Sequence, residues 1–208
     1  GLPYQTIDSF HESLQWILRL DPPHVSVYML EVDEDSRLGK ELLEGGRRYG
    51  TAHVPDEEAI VAMYQAAVER LGNAGIARYE ISNFARPGYE SRHNLKYWRL
   101  EPYAGFGADA HSFDGTVRRQ NAETAAEYVS RANLRQPLCA AQTPADRNEE
   151  RLLVGLRLSE GIPVSTAEHE RLQRFIDRGW LEDVHGRVRL TGEGVLFSNE
   201  VFEEFVHA

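Results

Sequence analysis

The feature that most restricts the fold is an alternation of helical and β-type segments over the first part of the chain. Apolar residues recur at helical spacing from residue 7 to 20, and a β-branched and aromatic run follows at residues 24–30. A second helical pattern begins near Asp56, and a second short β run occupies residues 77–82. The order helix, strand, helix, strand is typical of α/β units, so we expect parallel strands of one sheet.

Both predicted helices carry signals at their ends. Ser9 and Glu12 have the spacing of a capping box near the start of the first helix. Two acids follow Asp56, where the helix dipole favours negative charge. Gly72 and Gly75 lie where the second helix would end. We interpret the acidic, glycine-rich stretch between the first strand and the second helix as a solvated loop.

The character of the sequence changes near residue 121. We expect a first domain over residues 1–120 and a second over residues 121–208, with residues 134–146 as a linker inside the second. Four helical patterns lie in this second part, at residues 121–133, 147–158, 164–178 and 192–206. Two short alternating runs between residues 180 and 190, joined at His185-Gly186, predict a β-hairpin. Helices followed by a hairpin describe a mostly helical, winged-helix-like domain.

Charge and cysteine content argue against several classes of protein. The net charge of −10 speaks against a phosphate-binding surface, because nucleic-acid affinity depends on lysine and arginine. The single cysteine, Cys139, excludes an internal disulfide and is too few for a four-iron cluster. No apolar stretch reaches the roughly 20 residues that span a bilayer, and the first residues do not have the pattern of a signal peptide. We therefore expect a cytoplasmic protein.

Polar and aromatic residues are concentrated between residues 79 and 112. Tyr-Glu-Ile-Ser-Asn-Phe-Ala-Arg-Pro-Gly covers residues 79–88, His-Asn-Leu-Lys-Tyr-Trp residues 93–98 and Gly-Phe-Gly-Ala-Asp-Ala-His-Ser residues 105–112. This segment follows a predicted strand, and ligands of parallel α/β folds bind at the carboxyl ends of strands. Glycines let a backbone approach a ligand closely, although a simple turn explains Gly-x-Gly spacing equally well.

Taken together with Gly-Leu-Pro-x-Gln-Thr at residues 1–6 and His-Val-Ser-Val-Tyr-Met-Leu-Glu at residues 24–31, these motifs resemble a known family. In this order they resemble the radical SAM proteins called oxygen-independent coproporphyrinogen III oxidase-like. The His-Asn-x-x-Tyr-Trp element resembles the haem-chaperone branch rather than the true oxidases. The resemblance covers essentially the whole chain and is densest at residues 79–112. Tyr4 departs from it, since haem chaperones usually have glycine there.

The resemblance implies that the chain is the C-terminal part of a longer protein. The family's three-cysteine cluster loop and its glycine-rich SAM motif would precede Gly1. The implied fold is α/β: the last two strands of a partial (β/α)6 radical SAM barrel, with their helices, followed by the winged-helix-like domain. Such a chain is expected to be inactive in radical chemistry by itself.

The resemblance also implies which residues face each cofactor. Glu31 and His111 match SAM contacts, and Gly105 and Gly107 belong to the same SAM-facing loop. A solvated acid at the start of an acidic loop is the plain alternative for Glu31. No metal ligands for the cluster are expected in this chain.

For haem, the candidates are His93, Asn94, Tyr97 and Trp98. A neutral imidazole is a common iron ligand, and the two aromatic rings could cover a porphyrin face. The alternative is structural, with His93 capping a helix and the two rings packed in the core.

The implied function is a haem chaperone that binds haem and transfers it to acceptor proteins, with SAM and a 4Fe-4S cluster in the intact protein. One alternative is coproporphyrinogen III oxidase of anaerobic haem synthesis, and another is a winged-helix nucleic-acid module, which the charge disfavours. The implied partners are haem or porphyrin and haem-accepting proteins, with a membrane-bound acceptor left open. We also expect self-association through the strands at residues 24–30 or 77–82, whose edges would be unpaired.

Overall fold

A computed structural model describes residues 1–205 and divides them into two compact units. The first unit comprises Gly1–Glu90, and the second begins at Ser91. The predicted helix at residues 192–206 and the predicted second domain both extend into residues 206–208, which lie outside the described part. The predicted domain division at residue 120 stays a prediction.

The first unit combines three α-helices with one small sheet. Its elements in chain order are α1 (Ile7–Leu20), β1 (His24–Ser26), α2 (Arg37–Glu44), a 3-10 turn (Thr51–His53), α3 (Glu57–Asn73), β2 (Ala77–Arg78) and β3 (Asn83–Ala85).

The two long helices lie where the sequence predicts them, but the first is capped one turn earlier than expected. Thr6 is the N-cap residue of α1 and forms the capping box with Ser9, so the expected pairing of Ser9 with Glu12 is wrong. Helix α3 begins next to Asp56 as predicted, and the Asp56 side chain caps it by accepting a hydrogen bond from the Ala59 N–H at 2.8 Å. The apolar faces of the two helices pack together, with Leu14 and Ala67 fully buried.

The sheet of this unit differs from the expected parallel pair. Its strand order is β1-β3-β2, and both β1 and β2 are antiparallel to β3. The predicted strand at residues 77–82 ends early because the chain reverses after Arg78. That reversal is held by the Tyr79 N–H donating to the Asn83 carbonyl at 3.0 Å and by the Tyr64 hydroxyl donating to the Ile81 carbonyl at 2.6 Å.

The acidic stretch predicted as a solvated loop contains α2 and the 3-10 turn. Glu41 of α2 is only 8% exposed, so this part of the stretch is folded around a buried acid.

The second unit contains five helices and two three-stranded sheets among the described residues. Its elements are α4 (Arg92–Trp98), β4 (His111–Phe113), β5 (Val117–Asn121), α5 (Ala125–Asn133), β6 (Cys139–Pro144), α6 (Arg147–Gly155), β7 (Ile162–Pro163), α7 (Thr166–Asp177), β8 (Leu181–Val184), β9 (Arg187–Leu190) and α8 (Ser198–Glu203). The sheet orders are β4-β5-β6 and β7-β9-β8, with every neighbouring pair antiparallel.

The predicted linker at residues 134–146 contains strand β6. This strand pairs with β5 from Val117↔Pro144 to Asn121↔Cys139. The sequence pattern did not predict strand β6, because the strand is mostly exposed and its residues lack an alternation of apolar and polar side chains. The linker prediction is therefore wrong.

The predicted hairpin is confirmed as β8 and β9, with register Val184↔Arg187 next to the turn. His185 and Gly186 have φ values of 56° and 78°, which is the left-handed pair that a two-residue hairpin loop requires. The helix expected from residue 192 is shorter and begins only at Ser198. Within residues 1–205, no helix is long and apolar enough to cross a membrane.

Candidate functional site

The predicted haem motif falls on the short helix α4. The Ser91 hydroxyl caps this helix by accepting a hydrogen bond from the Asn94 N–H at 3.3 Å. The helix ends before Leu100, whose φ of 50° turns the chain away. The four predicted haem residues therefore share one helix of seven residues.

His93 and Tyr97 meet on the surface of α4. They are four residues apart and so lie on one face of the helix. The Tyr97 hydroxyl is 3.2 Å from His93 Nε2, and the rings are perpendicular, with their centroids 5.0 Å apart. His93 is exposed and Tyr97 half-buried. The structure thus brings together two of the four predicted haem residues as a hydrogen-bonded pair.

The Tyr97 ring is supported from the protein side by Tyr103. The two ring centroids are 4.5 Å apart in an edge-to-face arrangement. Backbone hydrogen bonds of 2.8 and 2.9 Å tie Tyr103 to Phe113 of β4. Arg118 donates to the Tyr103 hydroxyl at 3.3 Å and to Glu150, and the hydrogen bond to Glu150 raises the pKa of Arg118. Sequence reasoning missed Tyr103 and Arg118, since their roles depend on how β4 and β5 fold back.

Trp98, the third aromatic candidate, has a different environment. The Arg157 guanidinium lies 4.8 Å from the centroid of the Trp98 ring. The indole N–H is buried and has no hydrogen-bond partner among the described residues. This packing favours the structural alternative for Trp98. Asn94 is half-buried, and its backbone takes part in the helix cap.

The predicted SAM-facing loop is tightly folded around Gly105. A Cβ atom at this position would lie 2.1 Å from the carbonyl oxygen of His111, so the close approach of the two backbones requires glycine. The Gly105 N–H donates to the Ser112 hydroxyl at 2.9 Å. Gly105 and His111 are therefore brought together, and the His111 side chain is exposed.

Gly107, two residues further along this loop, is half-buried. Its φ of 101° favours glycine, and no atom lies within 4 Å of where its Cβ would be. The Asn121 amide donates to the Gly107 carbonyl at 2.9 Å. Phe106, between the two glycines, is 88% exposed.

Glu31, the other predicted SAM contact, belongs to the first unit. It is exposed and lines a groove of about 380 Å³, mostly apolar, between α1 and the chain after β1. Tyr28 and Leu30 line the same groove.

The sequence predicts no ligands for an iron–sulfur cluster in this chain, because such clusters are held by several thiolates and the chain has one cysteine. Cys139 is half-buried in β6. Residues 1–205 contain no cluster of three or more His, Cys, Asp or Glu side chains that could hold a metal ion.

Comparison with known proteins gives concordant matches. Residues 142–197 match the family model described as the HemN C-terminal domain. The chain is 34% identical to the heme chaperone HemW of Bacillus subtilis over 99% of this chain and 57% of that protein. It is 35% identical to the heme chaperone HemW of Mycobacterium tuberculosis over 97% of this chain and 52% of that protein.

The fold also matches a solved structure. Coproporphyrinogen III oxidase (HemN) from Escherichia coli, described as a radical SAM enzyme, superposes with a TM-score of 0.73 at 17% identity. The match covers all of this chain and 53% of that one, and the chain spans about half the length of the curated relatives that it matches. Over the length that it shares with them, the chain is similar to the heme chaperones HemW, and its residues 142–197 match the HemN C-terminal domain.

Proposed function

We propose that this chain is the haem-handling, C-terminal part of a haem chaperone, and that it binds haem on the exposed face of α4. The observation that carries the proposal is the His93–Tyr97 pair, in which two residue types that can bind haem iron lie 3.2 Å apart at the surface. The heme chaperones among its relatives support the same function.

The charges around this pair suit an anionic porphyrin. Arg92 and Lys96 are exposed and lie one helical turn apart on α4, next to His93 and Tyr97. Cations in these positions could pair with the two propionate groups of haem at the edge of the ring, while the His93–Tyr97 pair meets its centre.

SAM and the 4Fe-4S cluster are proposed for the intact protein only. When bound, a reduced cluster supplies an electron that cleaves the SAM sulfonium. This chain would contribute the loop of Gly105, Gly107 and His111, together with Glu31. The backbone of Gly107 fits such a role because its Cβ position is open. One thiol cannot hold the cluster, so the chain by itself is expected not to cleave SAM.

The finer description of the fold is part of the proposal. Residues 1–120 would belong to a partial (β/α)6 barrel, and residues 121–208 would form a winged-helix-like domain. The hairpin β8–β9 supports the second assignment, since it occupies the place of a wing after α7.

A second candidate is coproporphyrinogen III oxidase activity of the intact protein. The fold match to the E. coli enzyme favours it. A winged-helix nucleic-acid module is the weaker alternative, because the chain has a net charge of −10. We propose a cytoplasmic location and haem-accepting proteins as partners, with a membrane-bound acceptor left open.

A haem titration followed by absorbance tests the proposal. The chain should give a saturable change in the Soret band that weakens in His93→Ala. His11→Ala, which removes an imidazole from the first unit, is the matched control and should bind as the parent chain does. Equal binding by all three proteins would exclude a haem site at His93.

A further inference from the structure

The hydrogen bond between His93 and Tyr97 involves the imidazole nitrogen that is sterically best suited to bind iron. Nε2 lies at the outer end of the ring, and here it is 3.2 Å from the Tyr97 hydroxyl. The other nitrogen, Nδ1, is bonded to Cγ, which joins the ring to Cβ, and therefore lies close to the helix, where a porphyrin plane would meet the backbone. An iron ion binding His93 through Nε2 would first have to displace the tyrosine.

The tyrosine is the better-anchored member of this pair. Its ring is packed edge to face on Tyr103, with 4.5 Å between centroids. Tyr103 is itself fixed by its backbone pairing with Phe113 and by the Arg118 hydrogen bond to its hydroxyl. His93 is exposed and reaches the tyrosine from the solvent side of the helix. A ligand held by packing loses less conformational freedom on binding than an exposed side chain does.

We propose that the phenolate oxygen of Tyr97 is the iron ligand for ferric haem and that His93 is its proton acceptor. This inference rests on the proposed haem-binding function. The Tyr97 oxygen forms a bond to iron, its O–H bond breaks, and the proton moves to His93 Nε2. The imidazolium remains hydrogen-bonded to the bound oxygen, and the oxidation state of iron does not change.

The proposal makes binding depend on the oxidation state of iron. An anionic oxygen ligand favours Fe(III) over the softer Fe(II), whereas neutral imidazole accepts both. One-electron reduction would therefore weaken the bond to Tyr97. The α4 surface would therefore bind ferric haem more tightly than haem that has been reduced by dithionite.

Four versions of the 208-residue chain separate the roles of the two side chains. They are the parent, Tyr97→Phe, His93→Gln and Tyr89→Phe, the last making the same change at an exposed tyrosine of the first unit. Each is titrated with ferric haem and, under dithionite, with ferrous haem. Resonance Raman spectroscopy of the ferric complexes reports whether iron is bound to a phenolate. Circular dichroism and urea unfolding verify that each variant is folded.

The parent and Tyr89→Phe should show an iron–phenolate signature and should bind ferric haem about tenfold or more tightly than ferrous haem. Tyr97→Phe should lose the signature and the preference for ferric haem, with ferric affinity falling roughly 100-fold. His93→Gln should keep the signature with affinity reduced about tenfold, because the ligand remains but its hydrogen-bond partner changes.

An imidazole-type spectrum in the parent, retained in Tyr97→Phe and lost in His93→Gln, would overturn the inference while leaving haem binding at α4 intact. Unchanged binding in both variants would overturn it too and would move the haem site away from this helix. Absence of saturable binding by the parent would refute the proposed function together with the inference.

Discussion

At the scale of single residues, Glu41 shows how a buried acid can organise a loop. Its carboxylate accepts hydrogen bonds from the backbone N–H groups of Arg48 and Tyr49, both at 2.9 Å, and from that of Thr51 at 3.3 Å. Burial raises the pKa of Glu41, but these donors outweigh it and hold the pKa below its ordinary value. The ionised form therefore stabilises the fold of residues 45–51.

The pKa of Glu41 is lower in the folded protein than its ordinary value of 4.5. The stabilisation by Glu41 is therefore fully present above pH 4.5, and it is lost as the pH falls through the lower pKa of the folded state. Glu41→Gln should speed amide hydrogen exchange at residues 48–51 at neutral pH and should abolish the loss of protection that acid causes in the parent. Hydrogen-exchange mass spectrometry measures both. Glu44→Gln, on the exposed face of the same helix, is the control. Equal exchange in all three proteins would show that the carboxylate does not hold the loop.

The candidate site was only partly predictable at this scale. His93 and Tyr97 could be predicted as haem residues because several motifs, in their order along the chain, resemble those of the haem chaperones. Their spacing of four residues then brings the two side chains together on one face of α4. Tyr103 and Arg118 could not be named, since they reach Tyr97 through the pairing of β4 with β5. Trp98 was predicted as a haem residue together with Tyr97, yet it packs against Arg157 in the turn after α6, a contact that no local sequence pattern encodes.

At the scale of elements, the β8–β9 hairpin depends on two left-handed residues. Gly186→Ala should destabilise the protein by about 1–2 kcal/mol, because its φ of 78° strains any residue with a Cβ atom, although no atom crowds that position. Gly192→Ala is the matched control, since its Cβ position is equally open and no positive φ is recorded there. That change should be neutral or stabilising by about 0.5 kcal/mol. Urea unfolding of both variants measures the difference in stability. Equal midpoints for Gly186→Ala and Gly192→Ala would contradict the left-handed turn at Gly186.

Helices were predicted better than sheets for a physical reason. The positions of α1 and α3 follow from apolar periodicity and from capping contacts, and both signals come from residues that are close together in the sequence. Sheet partners depend on residues far apart in sequence. The short β3 separates β1 from β2, and its insertion turned an expected parallel pair into two antiparallel ones. The exposed β6 lacked any apolar alternation that would have revealed it.

At the scale of the whole molecule, the sheet of the first unit predicts self-association. Both β1 and β2 are edge strands of their sheet, each with one neighbour. Tyr28, just after β1, is 71% exposed beside the apolar groove. Sedimentation velocity should show mass increasing with concentration, and Tyr28→Lys should reduce the effect by placing a charge at the edge. A single monomeric species at every concentration would refute the prediction.

Haem binding at α4 is the property on which the proposed function rests, and paramagnetic NMR can locate the bound haem. Ferric haem broadens the amide signals of nearby residues, so its position can be read from the residues affected. Titration into the isotope-labelled chain should broaden signals centred on Arg92–Trp98, together with Tyr103, and a diamagnetic gallium porphyrin should shift the same signals without broadening them. Broadening centred elsewhere, or spread evenly over the chain, would contradict a haem site on this helix.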